Sequence, residues 1–295
     1  MTTPAILERL RGATGIWTMT LDGQSVADLR RIVAELDTLG YRALWLPEAW
    51  GREALVNAAL ALEASTSMTV ATGIASIWAR DAVAAMNGAR SLEAASEDRF
   101  VLGLGVSHRP LVERLRGHRY ESPLAAMRAY LEAMDAAPMR AADEGRVVPR
   151  LLAALGPKML ELAASHADGA HSYLVTTEHT AGARERLGSA FLAVEQAVVL
   201  GQSREEFLRR AHAHLNVYTG LENYRRSWRR LGFDEADFVR GGSERLCDAM
   251  VVHGDLDEVR ARVGEHLALG ADHVCLQVLG ADAAPPLDDW RRLAE

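Results

Sequence analysis

Lys158 is the only lysine in this chain of 295 residues, and it lies where the sequence predicts a turn into a helix. Gly156 permits a sharp bend, and Pro157 suits the first helical position, where no backbone N–H is needed. A helix N-terminus attracts anions through its free N–H groups and its dipole, so an ammonium group there is disfavoured unless an anion is also bound. The segment therefore indicates a site for a phosphate or carboxylate, although a solvated surface lysine is equally compatible with the sequence.

Glu48 is a second candidate for chemistry, because it directly follows the apolar run at residues 44–47. A carboxylate beside Trp45 and Trp50 could donate a proton to a substrate. It could also cap the following segment or pair with Arg52. Its position at the end of a predicted strand favours the catalytic interpretation.

Ser107 and His108 follow an apolar run that contains Gly103 and Gly105. The run begins like a dinucleotide-binding fingerprint, but His108 stands where the third glycine would be, so the signal is weak. In a barrel strand, such glycines leave room for a flat ligand or for a neighbouring side chain. His108 could then serve at a binding site, or it could be a loop histidine bonded to the backbone.

Short apolar runs alternate with amphipathic segments along the chain, a pattern that predicts strands and helices in turn. Ser25, Asp81 and Asp255 are expected to begin helices. The predicted strands cover residues 15–19, 43–47, 68–74, 100–106, 151–155, 169–174, 191–200 and 273–279. Eight strands with intervening helices fit a (β/α)8 TIM barrel, an α/β fold, with a doubly wound open sheet as the alternative. In a barrel, the polar groups that follow the strands meet at one mouth.

A single domain covering residues 1–295 is expected, because barrels of this length are common and no Pro/Ser-rich linker divides the chain. Two stretches, 136–149 and 233–250, look irregular and are predicted to be insertions over the barrel. The second could cover the C-terminal mouth, where insertions of this kind often lie.

The composition argues against several functional classes. The net charge of −7 is unfavourable for nucleic-acid binding, and the basic run at 224–230 is predicted to be a solvated helix face. Cys247 and Cys275 belong to no CxxC motif, so no disulfide framework or thiolate metal site follows. No apolar run approaches the roughly 20 residues that span a bilayer. With charged Glu8 and Arg9 near the N-terminus, we expect a cytoplasmic protein.

The histidine pairs of the sequence do not predict a metal site. His212 and His214 are two apart on a predicted helix and so point away from each other. His166, Asp168 and His171 are interpreted as a helix end, a turn and a strand start. We therefore expect no bound metal.

Six segments together resemble the luciferase-like monooxygenase superfamily, in particular its actinobacterial F420-dependent oxidoreductases. The resemblance covers most of the chain, and the order and spacing of the segments carry it. They are residues 40–48, 71–80, 99–108, 152–158, 167–170 and 270–274.

The resemblance implies a bacterial-luciferase-like barrel that binds coenzyme F420, or alternatively FMN, at its mouth. Such enzymes carry a bulge with a non-prolyl cis peptide after the third strand, which backs the central ring of the cofactor. Here the bulge would lie in Ala75, Ser76 and Ile77. Ser107 and His108 match the segment that reaches the polar edge of the ring. Gly156 and Lys158 match the segment near the tail phosphate, which Thr177 and His179 could also reach.

The activity implied by the resemblance is hydride transfer between the deazaflavin and a small organic substrate. We expect reduction of an activated C=C or C=N bond, or oxidation of an alcohol, with Glu48 or His108 moving the accompanying proton. Glu48 stands where several relatives have a histidine or aspartate. Trp17, Trp50 and Trp78 could wall an apolar substrate pocket, whereas Trp45 is expected to pack in the core.

Three alternatives remain at this stage. The first is an FMN-dependent monooxygenase of the same fold, and the second is a barrel that binds the cofactor without turnover. The third is an unrelated barrel enzyme, such as an aldolase, that uses Lys158 as a Schiff-base lysine. The resemblance also suggests a homodimer.

Overall fold

The computed structural model describes residues 4–142 and 146–294, in which eight parallel strands close into a barrel. Closure is made by β10 (His273–Val278), which pairs with both β1 (Thr14–Trp17) and β8 (Phe191–Leu200). The eight strands are β1 (Thr14–Trp17), β2 (Ala43–Leu46), β3 (Thr69–Thr72), β5 (Phe100–Gly105), β6 (Arg150–Ala153), β7 (Gly169–Ser172), β8 (Phe191–Leu200) and β10 (His273–Val278). This arrangement confirms the predicted (β/α)8 barrel and excludes the open sheet.

Two short strands lie outside this ring. β4 (Ala75–Ser76) pairs with β5, and β9 (Val251–Gly254) runs parallel to the second half of β8. Neither was predicted. Both extend the wall of the barrel near its C-terminal mouth.

Helices surround the strands, and most begin where the sequence predicts. Ser25, Asp81 and Asp255 each accept a backbone N–H at the start of a helix, and Asp255 does so in a full capping box. Within the described residues, no helix has the length and apolar character needed to cross a membrane. The helices are α1 (Ala5–Leu10), α2 (Val26–Thr38), α3 (Ala54–Ala64), α4 (Ala82–Ser96), α5 (Pro123–Asp135), α6 (Pro157–His166), α7 (Thr177–Leu187), α8 (Arg204–Tyr218), α9 (Glu222–Arg230), α10 (Glu244–Met250), α11 (Leu256–Ala268) and α12 (Leu287–Leu293).

The N-terminal end of the barrel is filled by apolar and aromatic side chains. α1, which the sequence analysis did not predict, contributes three buried residues to this interior cluster. Trp45 is fully buried, stacks on His171 with ring centroids 4.7 Å apart, and donates its indole N–H to His273 at 3.2 Å. The expectation that Trp45 packs in the core is confirmed.

The segment between β8 and β10 forms a second, smaller core over the C-terminal mouth. It contains α8, α9 and α10 and packs against the far ends of β7 and β8. The prediction of an irregular stretch at 233–250 is wrong for residues 244–250, which form α10 with Ser243 as its N-cap. The cover over the mouth comes chiefly from α8 and α9. In the other predicted insertion, 136–149, residues 143–145 lie outside the described residues.

Burial also sets the charge of groups inside the barrel. It lowers the pKa of His171 to about 3 and that of His273 to about 4, with the neighbouring histidine adding to the effect on His171. It raises the pKa of Glu195 to about 8. At neutral pH the barrel interior therefore holds two neutral histidines and a largely protonated carboxyl group.

We expect the free energy of unfolding to decrease as the pH falls below about 6.5, the ordinary pKa of histidine. The folded state keeps His171 and His273 neutral, whereas the unfolded chain protonates them, so acid favours unfolding. The raised pKa of Glu195 acts in the opposite direction and offsets only part of this loss. For His171 alone the loss between about pH 6.5 and pH 5 is about 2 kcal/mol. This loss of unfolding free energy can be measured by urea denaturation of the wild type and of a His171→Leu variant at both pH values. An equally steep decline in the variant would contradict this explanation.

Candidate active site

A backbone bulge follows β3 at the mouth of the barrel. The peptide bond between Gly73 and Ile74 is cis, and the chain then forms β4, in which Ala75 pairs with Leu104 and Ser76 with Gly105. The predicted position of the cis peptide, within Ala75, Ser76 and Ile77, is therefore wrong. Residues 75 and 76 are instead hydrogen-bonded to β5, which the apolar pattern alone could not indicate.

The two glycines of β5 allow this bulge to approach the strand. A Cβ on Gly103 would lie 2.0 Å from the carbonyl oxygen of Thr72, and a Cβ on Gly105 would lie 2.4 Å from Cδ1 of Ile74. The sequence offered room for a flat ligand or for a neighbouring side chain; Gly105 fits the second explanation, whereas at Gly103 the neighbour is the backbone of Thr72. The glycines thus determine where the bulge lies.

Glu48 is bonded to this bulge through both its backbone and its side chain. Its N–H donates to the carbonyl of Ile74 at 3.0 Å, and its carboxylate accepts the backbone N–H of Ser76 at 2.8 Å. The same carboxylate forms an ion pair with Arg80 and lies 3.9 Å from Arg116. The carboxylate is therefore already engaged by several donors.

The two structural alternatives considered for Glu48 are wrong. The N-cap of the following helix is Glu53, whose side chain accepts the N–H of Val56. Arg52 does not pair with Glu48; its guanidinium donates to the carbonyls of Leu21 and Gln24. The partner of Glu48 is Arg80, which lies 32 residues further along the chain.

Ser107 and His108 lie at the end of β5, next to the bulge. Ser107 has a positive φ of 55°, and its carbonyl accepts the hydroxyl of Tyr120 at 3.1 Å. The ring of His108 is half-buried, with its centroid 5.7 Å from that of Tyr224. Burial lowers the pKa of His108, and Asn223 partly opposes this effect. His108 is therefore neutral at physiological pH and able to accept a proton.

Lys158 is the second residue of α6, with Gly156 as the N-cap and Pro157 at the first position. The predicted turn into a helix is confirmed, and the lysine side chain is exposed. Thr177 is the first residue of α7, whose N-cap is Thr176. Both helices begin at the C-terminal mouth, since each follows a barrel strand.

Two further side chains meet the start of α6. The guanidinium of Arg230, from α9, donates to the carbonyl of Leu155 at 2.9 Å, and Nε2 of His179 lies 3.1 Å from the same oxygen. Burial lowers the pKa of Arg230, and the charge of Arg186 lowers it further. A bound anion would relieve this repulsion. The helix N-terminus with Lys158 and Arg230 thus has the donor set that a phosphate or carboxylate requires.

Arg230 was missed because its run was predicted to be a solvated helix face. The prediction is only partly correct: Tyr224, Ser227 and Trp228 of α9 are buried, and the arginines occupy the other faces. The contact between Arg230 and Leu155 joins positions 75 residues apart. No local signal in the sequence could have revealed it.

A group of aromatic side chains extends from the bulge toward β7 and β10. Trp17 donates its indole N–H to the carbonyl of Gly73 at 2.7 Å and lies 5.0 Å from the ring of Tyr173. The hydroxyl of Tyr173 donates to Oε1 of Gln277 at 2.8 Å and accepts from Tyr218 at 2.9 Å. Tyr218 comes from α8, so the covering helices are hydrogen-bonded into the barrel. The sequence analysis did not single out Tyr173, Tyr218 or Gln277 as a connected group.

The three tryptophans predicted to wall a substrate pocket lie in different environments. Trp17 is buried beneath the bulge, whereas Trp50 is 73% exposed. Trp78 is half-buried and donates its indole N–H to the carbonyl of Val106 at 2.9 Å. The structure therefore does not bring these tryptophans into one pocket wall. Two surface cavities of about 240 and 320 Å³ lie along α11, away from this mouth.

We expect Gly103→Ala to destabilise the protein more than Gly105→Ala. The first change places a Cβ against backbone and the second against the flexible end of the Ile74 side chain. Overpacking of this kind costs about 1–3 kcal/mol, and the backbone clash should lie at or above the upper end. Gly182→Ala is the control, because that helical glycine has open space around it and the change should stabilise α7. Chemical denaturation measures all three, and a mild effect at Gly103 would contradict the close approach.

Comparison with known proteins gives a family model and a relative similar over most of the chain. The family model described as luciferase-like monooxygenase matches residues 13–273. The chain is 24% identical over 325 residues to a putative coenzyme F420-dependent oxidoreductase of Mycobacterium tuberculosis, with 89% of this chain and 93% of that protein covered.

Solved structures with the same fold include enzymes that use different cofactors. An F420-dependent secondary alcohol dehydrogenase in complex with an F420–acetone adduct has a TM-score of 0.75 at 11% identity, with 96% of this chain and 97% of the other covered. A coenzyme F420-dependent tetrahydromethanopterin reductase of Methanopyrus kandleri has a TM-score of 0.69 at 14% identity, covering 95% and 96%. A type II Baeyer–Villiger monooxygenase of Pseudomonas putida, in complex with FMN, has a TM-score of 0.71 at 14% identity, covering 96% and 95%.

Proposed function

The chain belongs to the luciferase-like monooxygenase family, and from this premise we propose that it is an F420-dependent oxidoreductase acting on a small organic substrate. The observation that carries the proposal is the anion site at the start of α6, which opens at the same mouth as the bulge after β3 and His108. A flat redox coenzyme with an anionic tail needs both features. The similarity to a putative F420-dependent oxidoreductase supports this choice of coenzyme.

The tail of the coenzyme would be held at the N-terminal ends of α6 and α7. Lys158 and Arg230 supply positive charge, and the backbone at Gly156 supplies donors from the helix N-terminus. Thr177 lies at the start of α7. His179 supports the site indirectly, because its ring bonds the carbonyl of Leu155 and burial keeps it neutral. These roles are those of binding a phosphate, not of catalysis.

The ring would lie against the bulge formed by residues 73–77, next to Ser107 and His108. When bound, the deazaflavin accepts or donates a hydride, and the protein must supply or remove the accompanying proton. His108 is the residue we propose for this proton, because its imidazole is neutral and lies at the mouth. The reaction would be oxidation of an alcohol or reduction of an activated C=C or C=N bond. Trp78, half-buried beside Val106, would border the substrate.

FMN is the second candidate cofactor. A structural neighbour with a TM-score of 0.71 is a monooxygenase in complex with FMN. The anion site described above would accept the FMN phosphate as well as the tail of F420. Comparative titration of the apoprotein therefore decides between the two coenzymes.

We also propose that the protein is a homodimer in the cytoplasm. Val26, Val56 and Val83 are exposed apolar residues at the beginnings of the neighbouring helices α2, α3 and α4, and a subunit contact there would bury them. Light scattering after size exclusion measures the mass, and a monomer at micromolar concentration would contradict the proposal.

We expect the apoprotein to bind F420 in preference to FMN, and Lys158→Ala and Arg230→Ala each to weaken F420 binding by about 1–3 kcal/mol. This is the typical contribution of a charge-assisted hydrogen bond. Quenching of the intrinsic fluorescence of F420 measures the affinity. Arg226→Ala is the matched control, because Arg226 is an exposed residue of the same helix that pairs with Glu222.

Two outcomes would contradict this prediction. If the apoprotein bound FMN but not F420, an FMN-dependent monooxygenase would be the better description of the protein. Unchanged affinity in both variants, with Arg226→Ala behaving identically, would return Lys158 to the role of a surface lysine.

We expect His108→Gln to reduce turnover by about 100-fold or more, the usual contribution of a positioned general acid or base, while F420 affinity changes little. In alcohol oxidation the neutral imidazole of His108 is the active form. Wild-type kcat/KM should therefore fall as the pH drops below the pKa of free histidine and through the lowered pKa of His108. The variant should lose this acidic limb. A wild-type profile that persists in the variant would assign the limb to another group.

A further inference from the structure

We propose that Glu48 and Arg80 form a clamp that positions the 73–77 bulge for the coenzyme ring, and that Glu48 is a positioning residue. The inference rests on the proposed function, because it assumes that the bulge supports a ring. It differs from the expectation that Glu48 donates a proton. The contacts of the two side chains carry it.

Glu48 is bonded to the bulge on both sides of Ala75. Its backbone N–H donates to the carbonyl of Ile74 at 3.0 Å, and Oε2 of its carboxylate accepts the N–H of Ser76 at 2.8 Å. A residue at the end of β2 thus determines where the chain lies after β3. Any shift of the Glu48 side chain would move Ser76, which is paired with Gly105 of β5.

Arg80 holds the carboxylate of Glu48 in this place. Its side chain is only 10% exposed, that of Glu48 is 4% exposed, and the two form an ion pair through Oε1. Arg80 also pairs with Glu53 at 2.5 Å, and Glu53 caps α3 through the N–H of Val56. Burial by itself would lower the pKa of Arg80. The hydrogen bonds and charges of the two carboxylates outweigh this effect, so the pKa is raised. The clamp is therefore anchored on a helix as well as on two strands.

The clamp also extends toward His108. Arg116 lies 3.9 Å from the same oxygen of Glu48 and follows a helical turn at Leu111–Leu115, just beyond His108. Three segments of the mouth thus converge on one buried carboxylate: the end of β2, the bulge and the segment after β5. Both oxygens of this carboxylate therefore already contact donors of the protein, which suits a positioning role.

The effect of the clamp on ligand binding can be distinguished from the effect of the anion site. The clamp lies on the ring side of the mouth and should affect a ligand that has a ring but no tail. Lys158 and Arg230 lie at the start of α6 and should affect only a ligand that has the anionic tail. Two probes, F420 and its tail-free deazariboflavin fragment, therefore distinguish the two sites.

The experiment is titration of the wild type, Glu48→Gln and Lys158→Ala with both probes, recorded by fluorescence and by the visible absorption of the bound ring. We expect Glu48→Gln to weaken both probes by a similar factor of about ten, because a buried partner of a charge is lost. The absorption maximum of the bound ring should shift relative to the wild type. Lys158→Ala should weaken F420 alone and leave the spectrum unchanged.

A second variant guards against misfolding. Glu48→Gln leaves Arg80 with fewer partners, and an unpaired buried charge can unfold a protein. The double variant Glu48→Gln/Arg80→Gln removes both charges and should fold while keeping the weaker ring binding and the shifted spectrum. Glu63→Gln is the control, because it breaks an exposed ion pair with Arg30 far from the bulge.

Each result bears on the proposal. Wild-type affinity for the fragment and an unshifted spectrum in the double variant, with the wild type binding F420 normally, would overturn the clamp and leave the proposed function intact. A wild type that binds neither F420 nor the fragment would refute the proposed function, and the role of the clamp would fall with it. A selective loss of F420 in Glu48→Gln, with the fragment unaffected, would move Glu48 to the tail site.

Discussion

Closure of the barrel is the constraint on which the rest of the site depends. β10 forms parallel ladders with both β1 and β8, so strands from opposite ends of the chain end at one mouth. Parallel strands require crossover connections, which here are helices. α6 and α7 therefore begin at the same mouth and present their N-termini to it. An anion site and a bulge in the chain can then face a common ligand.

The mouth has two chemically different sides. Backbone and buried charge dominate near β3 and β5, where Glu48 holds the bulge. Hydrogen-bonded aromatic side chains dominate near β7 and β8, where Tyr173 links Tyr218 of α8 to Gln277 of β10. α9 connects the two sides, because it carries Tyr224 beside His108 and Arg230 at the start of α6. A change in the position of α9 would therefore be felt at both the ring and the tail of a bound coenzyme.

Features with short-range signals were predictable. Helix starts at Ser25, Asp81 and Asp255 follow from a side-chain oxygen that can accept an N–H a few residues ahead. The turn into α6 follows from other local features, the flexible Gly156 and Pro157 at the first helical position. Two elements that the sequence analysis did not predict, β4 and α10, also share a cause. β4 pairs with β5 and α10 packs over the end of β8, so both depend on partners distant in the sequence. The position of the cis peptide was misplaced for this reason.

By itself, the sequence determined the barrel and the positions of its eight strands to within two residues, because apolar periodicity and capping are properties of a few consecutive residues. The resemblance of six segments gave the family. It also predicted that Glu48, His108 and Lys158 follow barrel strands and so belong to the same mouth. Only the tertiary structure decided which groups each of them contacts. Glu48 meets Arg80 across 32 positions and Leu155 meets Arg230 across 75, and contacts that join segments remote in the chain have no local signature.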